Sequence, residues 1–137
     1  MNKMEINGGC YCGDIIFRAD VDPDQVLICH CSDCQTLSGS AYRTVVPALD
    51  GSFKLLQGEL KIYLKIAANG TPREQAFCPK CGSSIYSGPQ SGKPGMLGIR
   101  VGTIAQRDHL TPKRQYWCKS AQGWVQNLSD IPIVDGE

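Results

Sequence analysis

A small all-β domain with little helix is expected of this chain. Short apolar segments alternate with polar residues, turn-forming pairs interrupt them at short intervals, and few stretches remain for helix. Asp14–Arg18, Tyr42–Val46, Phe53–Leu56 and Leu60–Ile66 carry the period-2 alternation of half-buried strands. Asp50-Gly51, Gln57-Gly58, Asn69-Gly70, Gly88-Pro89 and Gly92-Lys-Pro-Gly95 supply the breaks. Fifteen glycines and eight prolines disfavour long helices. One helical turn is expected, beginning near Ser32 or Asp33, either of which suits a cap, and running to Leu37 before Gly39 ends it. Tyr116–Lys119 alternates like a late strand, with Cys118 expected in the core. No repeat, low-complexity tract or compositional break divides the chain, so residues 1–137 are expected to form one domain.

Hydrophobic content of 42% and a charged fraction of 20% describe an ordinary globular protein. No apolar run is long enough to cross a membrane, and the N-terminal stretch MNKMEINGG lacks the apolar segment of a secretory signal. A cytoplasmic location with reduced thiols is therefore expected. The formal net charge is +1. Cations are not interleaved with aromatic residues, and the only basic pair noted is Lys113-Arg114, so nucleic acid is not an expected partner.

Seven of the eight cysteines form three tight clusters: Cys10-Tyr-Cys12, Cys29-His-Cys31-Ser-Asp-Cys34 and Cys78-Pro-Lys-Cys81. Spacings this short let sulfurs from one bend of backbone reach the same ion and do not suit disulfides. A structural zinc takes four protein ligands, whereas a catalytic zinc takes three and leaves a position for water or substrate. Seven ligands divide accordingly. Cys10, Cys12, Cys78 and Cys81 make a closed four-sulfur site whose halves lie 66 residues apart and would tie two sheets together. Gly13 and Gly82, each following a cysteine, give the backbone freedom to turn around the ion. Cys29, Cys31 and Cys34 remain as a triad. An extended backbone sets His30 on the opposite face, away from the metal. His109 or Cys118 could fill the fourth position and close the site.

Three thiolates make zinc a poor Lewis acid toward water and a good host for a soft ligand. A small thiol entering the vacant position would lose its proton and become a nucleophile for a carbonyl carbon. Formation or cleavage of a carbon–sulfur bond is the reaction class this suggests.

Gly9-Cys-x-Cys-Gly13, Cys29-His-Cys-Ser-Asp-Cys34 followed by Ser38-Gly39, and Phe77-Cys-x-x-Cys-Gly-Ser83 resemble the glutathione-dependent formaldehyde-activating enzyme family, which includes centromere protein V. The likeness extends from about Gly8 to Trp124. It implies a β-tent fold of packed antiparallel sheets and two zinc ions per chain. It also implies a structural zinc on Cys10, Cys12, Cys78 and Cys81 and a catalytic zinc on Cys29, Cys31 and Cys34. The implied activity is that of a carbon–sulfur lyase joining glutathione and formaldehyde into S-hydroxymethylglutathione.

The proton donor is not evident. Asp33 is better placed to cap the helix than to move protons, and Ser38 and Ser40 suit turn backbone. Glutathione has two carboxylates, which Arg43, Arg73, Arg100 or Arg114 could clamp, although each also reads as a solvated surface charge. Arg43 is the best placed, nine residues after the triad at the start of a strand. Tyr116, Trp117 and Trp124 are expected to complete the core rather than wall a pocket. The competing reading is a non-enzymatic, zinc-ribbon-like protein-binding module with both zincs structural.

Overall fold

The computed structural model describes residues 2–136. Ten strands follow one another: β1 (Met4–Gly9), β2 (Ile16–Val21), β3 (Leu27–Cys29), β4 (Arg43–Pro47), β5 (Lys54–Gln57), β6 (Lys61–Ile66), β7 (Pro72–Phe77), β8 (Ser84–Pro89), β9 (Gly98–Arg100) and β10 (Arg114–Tyr116). One α-helix, α1 (Ser32–Ser38), links β3 to β4, and single 3-10 turns fill much of the C-terminal third. The fold is all-β, as the alternating pattern predicts.

A three-stranded sheet runs β1-β2-β5, and a seven-stranded sheet runs β10-β3-β4-β9-β8-β7-β6. All pairings are antiparallel except β10 with β3, which are parallel. Alternation between the two faces is clearest in β2. In β2, Phe17, Ala19 and Val21 are buried while Ile16 and Arg18 face out. Across from them, Val46, Ile85 and Ile99 of the larger sheet join Ile6 of β1 in the core. Phe17 stacks on Phe53 at 5.3 Å between ring centroids. Burying such side chains contributes about 2–3 kcal/mol each and drives the two sheets together.

Several elements depart from the expected pattern. The second strand starts at Ile16 rather than Asp14, because Ile15 O accepts from Cys10 N and the chain there is still bending around that cysteine. Gly88 lies inside β8 instead of breaking it, since an added Cβ would meet Leu97 Cδ2 at 2.4 Å. β1 is hidden in the sequence by Gly8 and Gly9. An added Cβ at Gly8 would fall 2.2 Å from Thr103 O, so this glycine permits close packing, not a turn. The late strand ends at Tyr116, where Trp117 takes a left-handed backbone with φ 58°. Cys118 is consequently exposed in a 3-10 turn, not buried in the core. Tyr116, Trp117 and Trp124 are also about half exposed and do not complete the core.

Candidate functional site

The three cysteine clusters occupy two places. Cys10 and Cys12 follow β1 of the smaller sheet, and Cys78 and Cys81 lie between β7 and β8 of the larger one. All four sulfurs lie within 4.8 Å of one another, with Cys10 to Cys12 at 3.6 Å and Cys12 to Cys78 at 3.8 Å. Tetrahedral zinc with Zn–S bonds of about 2.3 Å sets its sulfurs about 3.8 Å apart, so the donor set fits such an ion.

Both halves of this cluster are built alike. Gly13 donates its amide to Cys10 O, and Gly82 donates to Cys78 O; the two glycines have φ of 85° and 78°. A side chain at either position would strain the turn. The turned backbone aims amides at sulfur: Ile15 N to Cys10 Sγ at 3.2 Å and Lys80 N to Cys78 Sγ at 3.4 Å. The Ser83 hydroxyl, followed by the Ser83 and Cys12 amides, draws the Cys81 thiol down to about 5. Donors of this kind favour the thiolate that a metal needs.

The second cluster joins Cys29 at the end of β3, Cys31 in the connection and Cys34 in the first turn of α1, again with sulfurs within 4.8 Å of one another. Among the described residues no histidine, carboxylate or further cysteine joins this group. His109 and Cys118, which could have closed it, do not. Cys31 is the N-cap of α1: its Sγ accepts from Cys34 N at 3.3 Å. The cap is therefore a sulfur, not Ser32 or Asp33. Asp33 instead pairs with Lys65 of β6 at 2.7 Å, which holds its carboxyl below the ordinary value. A hydrogen bond from Cys34, opposed by burial, brings the Cys29 thiol down to about 5, and the same bond together with burial raises Cys34.

His30 points away from the sulfurs and is fully buried. Its Nε2 lies 2.8 Å from Gln115 Oε1, which also accepts from Gln126 Nε2 at 3.1 Å. Gln115 Oε1 is an acceptor, so Nε2 carries the imidazole proton. The His30 carbonyl accepts from Gln35 Nε2 at 2.8 Å, and the same Nε2 donates to Ser120 O at 3.0 Å. Gln35 thus clasps the triad to the C-terminal segment. Gln35 and Gln115 were missed in the sequence, because neutral amides have no characteristic spacing.

Arg43 stands directly opposite Cys29 in the β3–β4 pairing, so the two side chains share a face of the sheet. Arg100 lies opposite Val45, two residues along β4 and on that same face. Both arginines are buried, contrary to the surface role that single sequence positions suggested. Arg100 donates to Ser84 Oγ, Ser87 Oγ, Gly98 O and Gln75 Oε1 at 3.1–3.3 Å. Burial, then the charge of Arg43, lowers its pKa to about 9, which leaves it cationic at neutral pH. Arg73 and Arg114 are less buried, and the Ser38 hydroxyl satisfies backbone at the end of α1, donating to Gln35 O and accepting from Ser40 N, whereas Ser40 contributes only its own amide.

Two all-cysteine clusters, one of four sulfurs and one of three, on a pair of packed β-sheets form donor sets that could hold metal ions through thiolates. The chain belongs to the glutathione-dependent formaldehyde-activating enzyme family, whose model matches residues 5–120. A crystal structure of a Rhodobacter sphaeroides protein, determined as a structural-genomics target, shares the fold with a TM-score of 0.61 and 19% identity, over 80% of this chain and 98% of that one. No curated protein matches the chain.

Proposed function

We propose that the chain holds two zinc ions, a structural one on Cys10, Cys12, Cys78 and Cys81 and a catalytic one on Cys29, Cys31 and Cys34. The reaction is the addition of a small thiol, glutathione first among them, to formaldehyde or a related aldehyde. The observation that carries this reading is the unequal ligand count, four converging sulfurs in one cluster and three in the other.

Zinc bound by the triad would supply a soft position in which an incoming thiol is held as its thiolate. Sulfur then bonds to the aldehyde carbon, the carbon–oxygen π bond opens, and the proton lost by the thiol ends on oxygen, giving an S-hydroxymethyl adduct. The chain's own residues arrange the site. The Cys34 amide fixes the Cys31 sulfur, and Gln35 anchors the connecting backbone. Arg43 and Arg100 lend positive potential to a cluster that becomes more negative as a fourth sulfur arrives.

Zinc analysis with a glutathione titration followed by Zn-edge X-ray absorption tests the reading. Two zincs per chain are expected, with sulfur coordination rising by one at one of them as glutathione is added. Two zincs whose coordination ignores any thiol would overturn it in favour of a purely structural, protein-binding module.

A further inference from the structure

We propose that Arg43 and Arg100, with Gln75 between them, form a carboxylate-binding subsite that selects thiols carrying a carboxylate. The proposal rests on the thiol-binding reading above and names the substrate class.

The polar face of the seven-stranded sheet carries Cys29, Arg43, Arg100, Gln75 and Ser87 on adjacent strands, by register. Both guanidinium residues are 93% buried, each retaining 7% of its accessible surface. Among the described residues neither has a carboxylate within ion-pair distance. Arg43 makes one long hydrogen bond, Nη1 to Gln75 Oε1 at 3.4 Å, and its Nε is shielded from solvent with no partner at all. The same Gln75 oxygen accepts from Arg100 Nη2 at 3.2 Å. One neutral carbonyl oxygen thus sits between two cations, where a carboxylate oxygen would normally be found.

Buried like charges sharing a neutral acceptor are costly unless an anion joins them. The triad is not a sufficient counter-ion: three thiolates around a divalent ion carry one net negative charge against two guanidiniums. Both arginines line an open cleft of about 320 Å³ beside Leu37, Ser38, Tyr42 and Ser84. The cleft therefore has room for a ligand, the under-bonded Arg43 guanidinium on its wall, and the triad's Cys29 on the neighbouring strand. Arginine's planar fork suits a carboxylate held in two-point fashion.

Isothermal titration of the zinc-loaded protein with glutathione, S-methylglutathione and cysteamine separates the roles. S-Methylglutathione keeps both carboxylates without a free thiol, and cysteamine keeps the thiol without a carboxylate. Glutathione is expected to bind about ten- to a hundredfold more tightly than cysteamine, as a charge-assisted pair implies. Gln75→Glu supplies an internal carboxylate to both arginines, so it should fold readily, remove most of that advantage and abolish S-methylglutathione binding, while cysteamine, which loses only the arginines' positive potential, should weaken far less than glutathione. Arg43→Gln should act likewise if it folds. Equal affinity for glutathione and cysteamine in the native protein, or S-methylglutathione binding unaffected by Gln75→Glu, would overturn the subsite while leaving thiol binding intact. Binding of S-methylglutathione that Gln75→Glu abolishes, with no cysteamine binding and no change in zinc coordination, would uphold the subsite and sink the thiol reading.

Discussion

Cys31 links the chemistry of one residue to the start of α1: its sulfur accepts from the Cys34 amide in the first turn, a place usually held by an oxygen side chain. The same bond points that sulfur toward Cys29 and Cys34. The residue type was legible in the sequence, but its capping role was not, because Ser32 and Asp33 are better caps by composition and tertiary contacts took Asp33 to Lys65 instead. Arg100 is a similar case. Nothing near it in sequence signals burial; three strands had to pair before it met Gln75, Ser84 and Ser87. At this scale the two clusters should respond differently to loss of one sulfur. Cys81→Ser is expected to cost the four-sulfur zinc and leave the protein unfolded or insoluble. Cys31→Ser is expected to keep the fold with one zinc per chain and no thiol binding. Zinc content and circular dichroism on the two variants check this, and identical behaviour would contradict the division of labour.

Among the elements, β4, β5 and β6 fall within a residue or two of where alternation puts them, although only β4 is substantially buried: every residue of β5 and all but Lys65 of β6 are exposed. β1, β7, β8 and β9 were not legible. Glycines in β1, β8 and β9 mimic turn signals, yet Gly8, Gly88 and Gly98 serve close packing against Thr103, Leu97 and Val45. The helix α1 was foreseen from Ser32 or Asp33 to Leu37; it runs to Ser38 and is held at its far end by Gly39 in the left-handed region, φ 67°. Its near end is fastened to β6 through Asp33 and Lys65. A carboxyl below its ordinary value of 3.8 contributes stability that is present above that pH and lost as pH falls through the lowered value. Lys65→Ala should therefore return Asp33 to the ordinary carboxylate range. The stability difference between this variant and the native protein, small because the pair is largely exposed, should shrink as pH falls below the ordinary carboxylate value and vanish once Asp33 is protonated in both proteins. Carboxyl titration by NMR and denaturation at two pH values measure both effects.

For the whole molecule, the four-cysteine cluster is the fastening between the two sheets, and Cys78, Cys10 and Cys81 pack against the core they share. Structural zinc contributes about 10–16 kcal/mol in small metal-dependent folds, which is as large as the entire stability of a typical domain. Removing both zincs with excess chelator is therefore expected to lower the melting temperature by tens of degrees or abolish the cooperative transition, with recovery when zinc returns. An unchanged melt after verified metal removal would show that the apolar core suffices alone.

By itself, the sequence determined what local order can encode. Alternating apolar residues made the fold β, turn residues divided it into short strands, and the spacing of seven cysteines grouped the sulfurs, since neighbours in a CxC or CxxC turn must point together. Among the described residues no helix is long and apolar enough to cross a membrane, in keeping with the composition. The tertiary structure decided which distant groups meet. It brought residues 10–12 to residues 78–81, left the triad at three sulfurs by keeping His109 and Cys118 away, and buried Arg43 and Arg100 beside it. Those outcomes depend on strand register across the seven-stranded sheet. Register is fixed by the summed packing of many side chains over long separations, and no single stretch of sequence carries it.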